Sequence, residues 1–105
     1  MRVLKIAELP ENPMNAATPV PGWSGGEVSR TRQAIIGEAD SDNFRCNVVN
    51  FRQGATTGWH THDCDQILVV TAGRGSAGER HWHGATADTP MSHITVTTAG
   101  SQSKH

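Results

Sequence analysis

Six histidines stand in 105 residues, and four of them form two His-x-His pairs, His60 with His62 and His81 with His83. Six histidines placed at random would give about 0.3 such pairs, so the pairing is itself a signal. Residues two apart on a β-strand point to the same face, so each pair presents two imidazoles side by side. Asp63-Cys64-Asp65 has turn chemistry, and Gln66 opens the next apolar run at the same end of the sheet as His60 and His62. Neutral imidazoles suit zinc, copper, iron and nickel, while a carboxamide oxygen is a harder donor that also accepts manganese. His60, His62 and Gln66 therefore read as neutral donors for one divalent cation. A single His-x-His on a strand surface is more often simply solvated. The second pair, with His93 following His83 in the chain, weighs toward a metal. Cys64 is out of phase with His60 and His62 and should face away from them, Asp63 and Asp65 read as turn formers, and His105 in the tail carries no argument.

Strands must position these groups, because no segment has the 3.6-residue apolar period of an amphipathic helix. Strand signals run over Glu27–Ile36, Phe44–Phe51, Thr57–His62, Gln66–Thr71 and His93–Thr98, with a short one at Val3–Ile6. Gly54, Gly58, Gly73-Arg74-Gly75 and Asp88-Thr89-Pro90 supply turns between them. Short strands at close spacing predict an all-β barrel or sandwich. Residues 1–26 hold Pro10, Pro13, Pro19 and Pro21 and read as an irregular N-terminal arm; 27–99 form the domain, and 100–105 a disordered tail. A hairpin with Gly73-Arg74 as its two-residue loop would set Ala72 against Gly75 and Gln66 against His81. Leu68, Val70, Val48, Trp82 and Met91 are the expected apolar lining around the site.

The length supports one domain. Nine Lys and Arg against ten Asp and Glu leave a net charge of −1, without the basic patch that nucleic acid or an anionic membrane requires. Cys46 and Cys64 are too few for a disulfide framework and read as free thiols of a reducing compartment. No secretory leader or membrane-spanning run is evident, so the expectation is a cytoplasmic protein without membrane or nucleic-acid partners.

The stretch from Gly54 through His60, His62 and Gln66 to Gly73 resembles the first cupin motif, G-x5-H-x-H-x3-E-x6-G, with Gln66 in the glutamate place. Gly78-Glu79-Arg80-His81 resembles the end of the second, P-x-G-x2-H, with Ser76 in the proline place. The run HWHGATADTPMSHITV is similar to small bacterial single-domain cupins, among them manganese-dependent hydroxynitrile lyases and relatives of the carboxymuconolactone decarboxylase group. The resemblance implies a cupin jelly-roll barrel and metal ligands at His60, His62, Gln66 and His81. It implies manganese first, with iron, nickel or zinc as other occupants, and catalytic roles at His93 and His83 beside the metal. The implied activity is cleavage or formation of a cyanohydrin, with a cupin dioxygenase and a non-catalytic metal- or small-molecule-binding cupin as the other readings. In one respect the chain departs from that family. Its members carry about twenty more residues between the positions of Gly75 and Gly78, enough for further barrel strands. The barrel is therefore expected to be incomplete, with exposed edges that pair two or more copies into a homodimer or higher homo-oligomer.

Overall fold

Strand β-propensity and alternation decide the architecture. The computed structural model describes residues 3–14, 30–55, 61–62, 65–78, 82–86, 89–100 and 103–104. A 3-10 turn at Ile6–Glu8 is followed by β1 (Asn12–Pro13), β2 (Arg30–Ile36), β3 (Phe44–Phe51), β4 (Thr61–His62) and β5 (Gln66–Gly73). Then come β6 (Gly75–Gly78), β7 (Trp82–Ala85), β8 (Met91–Thr98) and β9 (Ser103–Lys104). The described residues form a five-stranded sheet ordered β1-β2-β3-β8-β5 and two small ladders, β4-β9 and β6-β7. Every pairing is antiparallel.

The Val3–Ile6 strand expected from the sequence is not formed; Val3 to Lys5 lies outside any regular element and Ile6 enters the 3-10 turn. The part of the expected Glu27–Ile36 strand before Arg30, and Thr57 to His60 of the third, lie outside the described residues.

Pairing register fixes which side chains share a face. Arg32, Val49, His93 and Val70 form one transverse row, Ala34, Asn47, Thr95 and Leu68 the next, and Arg45, Thr97 and Gln66 a third. Arg30, Phe51 and Met91 continue this inner face toward the other end of the sheet. Val49, Phe51 and Met91 are buried there in one cluster with Ala55 and Ala85, and Met14 packs against it. The Ala85 amide donates to the Ala55 carbonyl at 2.9 Å, docking β7 over the end of β3. Burying Phe51 alone, at 2% exposure, contributes about 1.5–3 kcal/mol.

The outer face carries Gln33, Cys46 and Val48, all buried, with Val48 paired to Ile94 and Ile94 to Val69. Buried polar groups need partners, and here they tie down the N-terminal segment. Gln33 Nε2 donates to the Ile6 and Leu9 carbonyls at 2.8 and 3.1 Å, and Gln33 Oε1 accepts from Asn50 Nδ2 at 2.8 Å. Asn50 Oδ1 accepts from Ser92 Oγ at 2.5 Å, and Glu11 Oε1 accepts from Thr31 Oγ1 at 2.7 Å.

Two sequence expectations are corrected here. β5 does not turn back into a hairpin against Gly75 and beyond: it pairs with β8, while β6 pairs with β7, Gly75 facing Ala85. The apolar run of β5 finds its complement in the β-branched residues of β8, whereas Gly75-Ser76-Ala77-Gly78 offers little side chain to pack. Nor do Val48 and Val70 line a closed interior. Val48 points to the outer face, leaving Val49 and Phe51 as the inward residues of β3, and Val70 is on the inner face but 53% exposed. Met91 is buried as expected, and Leu68 is half-buried. No helix among the described residues is long and apolar enough to cross a membrane.

Candidate functional site

His93 sits in the middle of β8, between Val49 of β3 and Val70 of β5, and is 1% exposed. Its ring lies 5.4 Å from that of Phe51, centroid to centroid, with the planes tilted by 41°. Thr95, two residues along the strand and so on the same face, places its hydroxyl oxygen 3.0 Å from His93 Nδ1. Burial disfavours the imidazolium and pushes the His93 pKa down to about 4, with partial opposition from hydrogen bonding to the backbone at Ile94 and His93. At neutral pH the side chain is an uncharged imidazole, able to accept a proton or a hydrogen bond.

Gln66 opens β5 on the same inner face, opposite Thr97. It is half-buried, and its Oε1 is enclosed with no hydrogen-bond partner among the described residues. A buried carboxamide oxygen left without a donor is costly, so the site calls for a cation or a donor at that atom. That is the oxygen the cupin resemblance assigns to a metal, and the donor chemistry fits.

Between Gln66 and His93 lies the half-buried row Asn47, Thr95 and Leu68. Gln66 faces Thr97, so it and His93 are offset by four residues along β8, about 13 Å of strand. Thr95 and Leu68 lie within that interval on the inner face, and Val49, Phe51 and Met91 are buried at its His93 end.

Of the other residues singled out from the sequence, His60 and His81 lie outside the described residues. His62 ends β4, where it pairs with Ser103, and His83 lies in β7 opposite Ala77. Among the described residues no three His, Cys, Asp or Glu side chains gather as a metal-binding group. Cys46 is a free, buried thiol, and Asp65 is exposed. Thr95 and Asn47 were not singled out in the sequence. Period-two alternation from His93 through Thr95 to Thr97 was the available signal for Thr95; Asn47 needed the β3-β8 register.

No family profile matches the chain. It is 40% identical over 68 residues to an (R)-mandelonitrile lyase of Granulicella tundricola, a match covering 46% of this chain and 52% of that protein. The chain thus spans about half the length of the curated relative it matches. Since 46% of 105 residues is about 48, roughly 20 of the 68 aligned positions fall opposite no residue of this chain. The crystal structure of a cupin-like protein from Thermotoga maritima superposes with a TM-score of 0.65 at 28% identity, covering 72% of this chain and 76% of that one.

Proposed function

We propose that this chain, a small cupin, is a mononuclear metal-dependent lyase that cleaves or forms cyanohydrins. The observation that carries this reading is the shared inner face of Gln66, whose buried oxygen has no hydrogen-bond partner among the described residues, and His93, buried and neutral. The curated relative named for (R)-mandelonitrile supports the choice of reaction. His60, His62, Gln66 and His81 would hold one divalent cation, manganese first, with iron, nickel or zinc as substitutes. Held by neutral donors, such a cation keeps its double charge and supplies Lewis acidity toward a carbonyl and attraction for a departing anion.

The chain's own residues do the rest. The Thr95 hydroxyl beside Nδ1 orients the His93 ring, and proton exchange with the cyanohydrin hydroxyl falls to Nε2. His83, on β7, is the second candidate for that proton. Val49, Phe51 and Met91 exclude water from the His93 end and favour an apolar or aromatic substituent on the substrate.

Manganese-loaded protein is to be offered (R)- and (S)-mandelonitrile, with release of benzaldehyde followed by its ultraviolet absorbance. Cleavage above the buffer rate is expected, with metal bound in near-stoichiometric amount, and His93→Asn should lower kcat about a hundredfold or more. Gln66→Ala should lower the bound metal measured by elemental analysis. Folded, metal-loaded protein that releases no benzaldehyde would end the lyase reading. Oxygen uptake by the iron-loaded protein would point instead to a dioxygenase.

A further inference from the structure

Charge is one-sided on the inner face. β2 places Arg30 and Arg32 there and β3 places Arg45, while no strand of the five-stranded sheet contains an Asp or Glu. Glu11, just before β1, reaches the outer face, where it accepts from Thr31 Oγ1. Glu38, Asp40 and Asp42 belong to the turn between β2 and β3, and Asp65 precedes β5. Guanidiniums that share a half-buried face with no carboxylate on its strands attract small anions to it.

Two of these arginines bracket one cross-strand pair. Ala34 of β2 faces Asn47 of β3; along the strands Arg32 lies to one side of this pair and Arg45 to the other, all four on the inner face. Ala34 and Arg32 are exposed, and Asn47 and Arg45 are half-buried. An exposed alanine between two long cationic side chains leaves room for a ligand group. Asn47 offers a carboxamide beside that room, and its side chain makes no hydrogen bond among the described residues. Arg45 is held in place, its Nη1 donating to the Ser41 and Phe44 carbonyls at 2.6 and 2.8 Å. Its other edge, Nε with Nη2, has no acceptor among the described residues, and such an edge matches a carboxylate with two parallel bonds.

We propose that Arg45, Asn47 and Arg32 form a carboxylate subsite over Ala34, and that the molecule taken on the inner face carries a carboxylate on an otherwise apolar or aromatic body. The proposal rests on the inner face being the substrate face, and not on which reaction runs there. Nε and Nη2 of Arg45 hold the carboxylate, Asn47 Nδ2 adds a third donor, and Arg32 closes the far side with a second positive charge. The row Ala34, Asn47, Thr95 crosses two strand spacings, about 10 Å, from the subsite to the threonine beside His93. An aromatic ring with substituents at opposite ends spans that interval, its reacting group toward His93 and Gln66. Mandelonitrile has no carboxylate and would leave the subsite unused, so the subsite governs substrate affinity and choice.

Titration calorimetry at pH 7 with 4-(hydroxymethyl)benzoate, and with its methyl ester as the uncharged counterpart, tests this in manganese-loaded and in chelator-treated protein. The acid should bind about tenfold or more tighter than the ester in both preparations. Arg45→Gln should weaken the acid about tenfold, and Arg45→Lys, which keeps the charge without the fork, should weaken it less. Asn47→Ala should weaken it about tenfold and Arg32→Gln about threefold. Ester binding should stay within about twofold of wild type in every variant. If Arg45→Gln does not fold for want of its bonds to the turn, Asn47→Ala and Arg32→Gln decide the matter. Equal binding of acid and ester would overturn the proposal, and so would a preference indifferent to these substitutions. A preference abolished by the chelator would place the carboxylate on the metal, and acetate binding as tightly as the aromatic acid would mean a bare anion site; either result overturns it too. Cleavage of mandelonitrile without a preference for the acid ends this proposal and leaves the lyase reading standing; the preference without cleavage does the reverse.

Discussion

Acidification should weaken the fold through His93, by an amount that follows from its burial. In the unfolded chain the imidazole has its ordinary pKa of 6.5; in the fold the value falls to about 4 because a 1% exposed ring cannot be hydrated as a cation. Between these values the unfolded chain binds a proton that the folded chain refuses, so stability is full above pH 6.5 and declines as pH falls toward 4. The gap amounts to about 3 kcal/mol by pH 4, a large share of a small domain's stability. The assay is urea unfolding followed by circular dichroism at several pH values, with chelator present and protein concentration fixed. Wild type is compared with His93→Asn. The remaining histidines titrate in both proteins and cancel. The variant is less stable at pH 7 but should lose about 3 kcal/mol less than wild type on going to pH 4. Parallel pH curves for the two proteins would refute the reasoning, because they would mean that His93 takes up its proton equally in both states.

Two further substitutions probe the scaffold. Gly73 has φ +72°, and a Cβ added there would fall on the Pro90 carbonyl oxygen. Gly73→Ala should therefore cost at least about 2 kcal/mol, lowering the thermal midpoint by roughly 10 °C. Gly100, φ +78° with open space around it, is the control: Gly100→Ala should cost about 1 kcal/mol, for backbone strain alone. Asn50→Leu removes the link between Ser92, Gln33 and Glu11. It should destabilise by about 1–3 kcal/mol and speed amide hydrogen exchange across 6–12, the segment that network holds; unchanged exchange there would show the arm to be held by other contacts.

Where a segment's own pattern suffices, structure and sequence agree. β3 spans Phe44–Phe51 as expected, because its β-branched and aromatic residues are bounded by the turn at 39–43. β5 begins at Gln66 as expected and runs to Gly73, two residues beyond its expected end. β8 starts at Met91, two residues before the expected His93, since Pro90 and not the histidine punctuates the chain there. The interior was harder to read. Val48 and Val49 are adjacent and equally apolar, so composition cannot say which one faces inward; only the register of β3 against β8, which pairs Val49 with His93, decides it.

The site divides the same way. The spacing of His60, His62 and Gln66 and the cupin-like motif around them are matters of sequence, as is the period-two alternation that puts His93, Thr95 and Thr97 on one face. That β5 lies beside β8 and not beside Gly75–Gly78 could be decided only in three dimensions. A ladder between segments far apart in the chain is chosen by how well whole rows of side chains pack, a comparison no local window contains. The same choice enclosed His93 and lowered its pKa, and put Gln66 on its face with an oxygen that has no hydrogen-bond partner among the described residues. Residue type and spacing determine what chemistry the chain can offer; the ladder partners determine which of those groups are dry and which face one another.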